Sequence, residues 1–145
     1  MFSWLKAFFV RPATGAAPFG GATGERAAAE FLRRERGFAI VARNWRSPRD
    51  RRDEIDLVCR DGEVLVFVEV KARAAGALVP GYYTVNARKK KVLRRACTAY
   101  LRALAGEAPP TFRLDVVEVA IPAGGGPPEV RHFENVPLFP KSFGG

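Results

Sequence analysis

The chain has 145 residues, enough for one domain with a single real core. Its 48% hydrophobic and 27% charged residues are those of an ordinary globular protein and exclude a disordered, collagen-like or coiled-coil chain. The net charge is +9, and 18 of the 24 basic residues are arginine, whose planar fork matches phosphate oxygens in pairs. This balance favours a phosphate-rich partner, although a genome that prefers arginine codons produces the same bias.

No apolar run reaches 18 residues, so no membrane-spanning helix is expected. Cys59 and Cys97 stand far apart, and His132 is the lone histidine, which argues against a Cys/His zinc site and against Cys-His or Ser-His-Asp chemistry. Few cysteines and no recognisable signal peptide lead to the expectation of a reducing, cytoplasmic setting.

Residues 1–22 read as an appended, mobile segment: a short apolar patch (Phe2, Trp4, Leu5, Phe8, Phe9) followed by a Pro/Gly/Ala stretch. A membrane-surface or partner anchor is the alternative. From Thr23, a candidate N-cap, a helix is predicted over 24–36, with Ala28, Phe31 and Leu32 on one face and Gly37 ending it. Phe38–Arg46 reads as a strand, and 47–53 as a charged turn. Ile55–Arg60 and Glu63–Arg73 are β-branched runs separated by Asp61-Gly62, a hairpin signal. A loop runs from Ala74 to Val85. Asn86 caps a second helix over 87–105, with Leu93, Ala96, Cys97, Tyr100 and Leu104 facing the core. Strands at Phe112–Ile121 and Val130–Asn135 follow, and the tail from Val136 reads as loose. The predicted domain is therefore 23–135, an α/β fold with a mixed sheet flanked by helices.

Chemistry concentrates on the hairpin. A two-residue Asp61-Gly62 turn would set Asp56 opposite Phe67 and Glu54 opposite Glu69, with Asp56 and Glu69 diagonal neighbours roughly 5–8 Å apart at Cβ. Period-two alternation then places Glu54, Asp56, Phe67, Glu69 and Lys71 on one face, with Val64, Val66, Val68 and Val70 on the other. Carboxylates about 5 Å apart repel by roughly 3 kcal/mol at an effective dielectric near 20. A hard divalent cation, Mg²⁺ or Mn²⁺, removes that repulsion. Lys71 would sit beside it, able to orient water or stabilise phosphoryl charge. A Glu-x-Lys on a strand is more often a solvated pair, but the run VLVFVEV is too apolar for a solvated edge. Glu25, on the inward stripe of the first helix, could reach the cluster, or could merely complement the helix dipole. Basic residues form two groups, one before the hairpin that includes Arg43 and Arg46, and one on the second helix: Arg88, Lys89, Lys90, Lys91, Arg94 and Arg95. That helix has no acidic residue, so these residues are candidates for phosphate contacts. Trp45, Tyr82 and Tyr83 could stack on bases but are more often core.

Gly24-Glu25, ARNW at 42–45, EIDLV at 54–58 and FVEVKAR at 67–73 resemble the bacterial YraN family, as do the helix at 88–101 and FRLDVV at 112–117. The resemblance covers about residues 23–135. It implies the PD-(D/E)xK superfamily, near Holliday junction resolvases, with a restriction-endonuclease-like αβββαβ core. It further implies a Mg²⁺- or Mn²⁺-dependent endonuclease acting on DNA, with branched repair and recombination intermediates among its substrates. Asp56 and Glu69 would be metal ligands, Lys71 the catalytic lysine, Glu25 the first-helix acid of the resolvase-like branch, and Glu54 a residue supporting the ligands from behind. A non-catalytic nucleic-acid-binding module is the alternative. DNA is the expected partner, and a homodimer is left open.

Overall fold

A computed structural model describes residues 6–9, 21–74, 85–104 and 110–138. The predicted loop over 75–84, with Tyr82 and Tyr83, the apolar residues Phe2, Trp4 and Leu5, and the tail from 139 lie outside the described residues. The elements in chain order are β1 (Lys6–Phe9), α1 (Gly21–Glu35), β2 (Ala39–Arg46), β3 (Glu54–Asp61), β4 (Val64–Ala74), α2 (Ala87–Ala103), β5 (Phe112–Ile121) and β6 (Glu129–Phe133). They form one six-stranded sheet in the order β1-β6-β5-β4-β3-β2. β4 and β5 are parallel and every other neighbouring pair is antiparallel. From α1 to β5 this is the expected αβββαβ order, with α2 connecting the two parallel strands, because a parallel pair needs a long crossover.

Two apolar layers hold the sheet between its helices. Ala28, Ala29, Phe31 and Leu32 of α1 bury against Leu57, Cys59, Val66, Val68, Val117, Val119 and Val130. On the other face Leu93, Ala96, Cys97 and Tyr100 of α2 bury against Val58, Leu65, Phe67, Leu114 and Val116. The VLVFV run of β4 is covered on both sides, as a central strand next to a parallel neighbour should be.

The helix ends follow their local chemistry. The Asn86 side chain accepts the Lys89 N–H at 2.9 Å, so α2 starts where its cap predicts. Gly37 takes φ 69° just past α1, the left-handed conformation that a C′ glycine supplies cheaply. α1 begins at Gly21, two residues ahead of the predicted Thr23 cap.

The chain termini are tied to the sheet more than their composition suggests. Lys6–Phe9, inside the segment read as appended, pairs with β6 in the register Lys6↔His132 to Phe9↔Glu129. In the region read as a loose tail, the Val136 N–H bonds Leu114 O at 2.7 Å, and Val136 and Leu138 are buried in the α2-side layer.

His132 is structural. Arg36 Nε donates to its Nδ1 at 3.2 Å, so the proton sits on Nε2, which meets Asp115 Oδ2 at 2.8 Å. Asp115 also accepts from Arg113 and from the Asn135 N–H. Burial would raise the Asp115 pKa, but the His132, Arg113 and Asn135 hydrogen bonds outweigh it and hold the carboxyl below its ordinary value.

Gly24 fixes the approach of α1 to the sheet. A Cβ added there would lie 2.6 Å from the Ala72 Cβ of β4, closer than any unstrained contact. Gly24→Ala is therefore expected to cost about 1–3 kcal/mol by overpacking. Ala72→Gly in the same chain should recover part of it, as read from urea denaturation midpoints.

Candidate active site

The hairpin register differs from the sequence reading by two residues. The closing pair is Asp61↔Val64, so Gly62 and Glu63 form the turn, with Gly62 at φ 59° in the first turn position where glycine is needed. Val58 then faces Phe67 and Leu57 faces Val68. Continuing the register sets Asp56 directly opposite Glu69 rather than diagonal to it. An even shift keeps both residues on the face expected of them.

Alternation along β3 is not strict. Val58 and Ile55 both pack on the α2 side while Leu57 packs on the α1 side, so the phase slips around Asp56. Across from it, β2 carries Asn44 in the left-handed region at φ 49°. Backbone pairing between β3 and β4 stops at Leu57↔Val68. Beyond that point the Asp56 carboxylate takes over: its Oδ2 accepts the Val70 N–H at 2.8 Å. The hairpin parts there, and the opening is lined with acids.

Glu69 is 3% exposed. Its Oε1 meets Lys71 Nζ at 3.4 Å and Lys89 Nζ at 3.3 Å, whereas its Oε2 is buried without a hydrogen-bond partner. Burial, and next the Glu69 charge, push the Asp56 carboxyl up to about 7, against the Val70 hydrogen bond. Glu25 is also raised, first by burial, with the charges of Glu54 and Glu69 adding and a hydrogen bond to the Asn44 side chain opposing. The charges of Glu54 and Glu69 thus reach Glu25, and those of Glu69 and Glu25 reach Asp56. Glu54 pairs with Arg46 at 3.4 Å.

Two helices supply the walls. Beside Glu25, a cleft of about 140 Å³ is lined by Ala22, Arg26, Arg43, Asn44 and Leu57. From α2, Lys89 reaches Glu69, and Cys97 lies near enough that the Glu69 charge reinforces the burial that raises its thiol pKa. A thiol so raised is a poor nucleophile. The remaining basic candidates divide. Arg88 and Lys91 are exposed and Lys90 half-buried. Arg95 Nη2 pairs with Asp53 at 2.8 Å and Arg94 Nη1 bonds Leu138 O at 3.0 Å, so both also hold the fold together. Asn44 and Arg26 were missed. Asn44 looked like an interior strand residue, and only its positive φ distinguishes it.

Among the described residues no three His, Cys, Asp or Glu side chains stand together closely enough to hold a metal ion. A cation here would rest on Asp56 and Glu69 and keep most of its shell as water, the habit of Mg²⁺. The Glu69 Oε2, buried without a hydrogen-bond partner, and the Asp56 carboxyl, whose ionised form burial and the Glu69 charge disfavour, fit that use, since a cation would satisfy the first and favour ionisation of the second.

A mixed sheet of this order, with an acid on the parted hairpin strand and Glu-x-Lys on its partner, defines a restriction-endonuclease-like core. Residues 24–119 match the Uncharacterised protein family UPF0102, the YraN family of the sequence resemblance. The chain belongs to that family. A UPF0102 protein of Anaeromyxobacter dehalogenans is 46% identical over 113 residues, 78% of this chain and 79% of the relative. One from Symbiobacterium thermophilum is 48% identical over 99 residues, 68% and 80% of the two chains. One from Kineococcus radiotolerans is 41% identical over 116 residues, 80% and 91%. Among the described residues no helix is long and apolar enough to cross a membrane.

The raised Asp56 pKa has a signed consequence for stability. The folded chain holds this proton more tightly than the unfolded chain, so the stability it confers is complete below about pH 4. That stability is lost as pH rises toward about 7. Glu25 acts in the same direction. The lowered carboxyls of Asp50 and Asp115 act oppositely and below pH 4. Asp56→Asn should flatten the decline between pH 5 and 8 and stabilise the chain at pH 8 by on the order of 2 kcal/mol, measured by denaturant titration across that range.

Proposed function

We propose that the chain is a Mg²⁺- or Mn²⁺-dependent endonuclease that hydrolyses phosphodiester bonds in DNA. The observation that carries this reading is the buried carboxylate pair, Asp56 and Glu69, in the mouth of a parted hairpin with two lysines on one Glu69 oxygen. The buried Asp115 elsewhere in the fold uses both of its oxygens in hydrogen bonds, whereas Glu69 keeps one buried oxygen without a hydrogen-bond partner. The net charge of +9 supplies long-range attraction for a polyanion.

In this reading Asp56 and Glu69 would hold the cation, which when bound polarises a phosphoryl oxygen and lowers the pKa of a water. Lys71, fixed on the same strand two residues beyond Glu69, orients the attacking water and offsets charge on the phosphate. Glu25, whose carboxyl is raised above its ordinary value chiefly by burial, stands on the opposite wall and can accept a proton from water. The water oxygen forms the new P–O bond, the bond to the leaving sugar oxygen breaks, and that oxygen takes up a proton. Arg43, exposed and lining the cleft beside Glu25, and Arg88, Lys90 and Lys91 of α2 would contact flanking phosphates.

The test is a cleavage panel of linear, flap, single-stranded and four-way-junction DNA with Mg²⁺ and Mn²⁺. Asp56→Asn and Glu69→Gln should stay folded and lose both Mn²⁺ binding and cleavage. Lys71→Ala should keep Mn²⁺ affinity within a fewfold and lose cleavage by about a hundredfold or more, the scale of one preorganised charge-stabilising group. Cleavage by Lys71→Ala within a fewfold of wild type would overturn the assignment. DNA binding without cleavage of any substrate would assign a non-catalytic binding module instead.

Binding itself should weaken steeply with salt, each phosphate contact adding about −0.9 to the slope of log K against log salt. Charge reversal of Arg88, Lys90 and Lys91, which leaves the Arg94 and Arg95 contacts intact, should flatten that slope in a filter-binding series. A slope unchanged from wild type would remove α2 from the DNA interface.

A further inference from the structure

Lys89 is oddly placed for a helix of this kind. It lies in the first turn of α2, within the run Arg88-Lys89-Lys90-Lys91, and that turn contains no acidic residue. A helix N-terminus carries partial positive charge, so stacking cations there works against helix stability. Such a segment is suited to an anion approaching from outside. In this structure the anion that Lys89 meets is Glu69, at 3.3 Å, across the gap between α2 and β4.

Two lysines share one carboxylate oxygen there. Lys71, at 3.4 Å, lies on the same strand as Glu69, two residues beyond it. Lys89 comes from another element on a long, half-exposed side chain whose outer surface is open to solvent. The second Glu69 oxygen is buried and unpartnered, and the Lys89 charge also moderates Asp56. Lys89 therefore supplies part of the positive charge that the carboxylate pair requires.

We infer that Lys89 is a positioning residue that exchanges partners: it holds Glu69 in the metal-free protein, releases it to the divalent cation, and then contacts a phosphate of the bound DNA. The inference rests on the proposed metal-dependent nuclease function and adds a residue and an order of events to it. Glu69 and Lys89 each keep a partner of opposite charge throughout the exchange, since the cation replaces Lys89 at Glu69 and the phosphate replaces Glu69 at Lys89. It couples metal binding to DNA binding, because a cation that displaces Lys89 from Glu69 frees that ammonium for a phosphate.

The prediction has opposite signs for the two ligands, which a merely structural residue would not give. Lys89→Met, similar in length and in helix propensity, removes the competitor for Glu69. Its affinity for Mn²⁺ without DNA, measured by calorimetric titration, should rise about two- to fivefold, the scale of one partly exposed ion pair. Its affinity for a short DNA duplex in Ca²⁺ should fall several-fold, and the gain in DNA affinity that Ca²⁺ gives the wild type should shrink. Lys91→Met, an exposed neighbour, should weaken DNA binding without changing Mn²⁺ affinity. Unchanged or weaker Mn²⁺ binding by Lys89→Met, with wild type binding normally, overturns the exchange and leaves the nuclease reading standing. Failure of the wild type to bind Mn²⁺ overturns both.

Discussion

The hydrogen bond from the Val70 backbone N–H to the Asp56 carboxylate decides the shape of the site. Backbone pairing of β3 and β4 ends at Leu57↔Val68, yet β4 runs on to Ala74, paired on its other side with β5. An unpaired N–H at Val70 would be costly in a covered sheet. The Asp56 carboxylate satisfies it through Oδ2. One side chain thus takes over where the ladder ends and places an acid in the opening. The arrangement raises the Asp56 pKa, because burial and the charge of Glu69 cost more than the hydrogen bond returns.

Everything else around the opening manages that charge. β4 contributes Lys71, α2 contributes Lys89, and α1 brings Glu25 to the other wall. The position of α1 depends on Gly24, where the helix meets Ala72 with no room for a side chain. The position of α2 depends in part on Arg95, which clamps the buried Asp53 one residue before β3 begins. The charges that looked like a uniform basic stripe along α2 thus have separate duties. Lys89 serves the acids, Arg94 and Arg95 serve the fold, and Arg88 and Lys91 face solvent.

Away from the site, acids are treated differently. Asp115 is fully buried but receives hydrogen bonds from His132, Arg113 and the Asn135 backbone, and its pKa falls. The contrast with Asp56 is chemical rather than a matter of depth. A carboxylate surrounded by donors is a rivet, whereas one facing another carboxylate is poised to take a cation or a proton.

The sequence by itself determined the elements and their order, because those depend on short-range patterns. Asn86 caps α2, Gly37 ends α1, β-branched runs make the strands, and alternation puts Asp56 and Glu69 on one face. It also marked Asp56, Glu69, Lys71 and Glu25 as one group. Tertiary structure alone decided the rest. The hairpin register moved by two, since Asp61-Gly62 and Gly62-Glu63 are both plausible turns and only packing of the β4 stripe chooses between them. The slip in β3 opposite Asn44, the pairing of Lys6–Phe9 with β6 and the meeting of Lys89 with Glu69 have no local signature. Each depends on how separate elements pack against one another rather than on a local pattern.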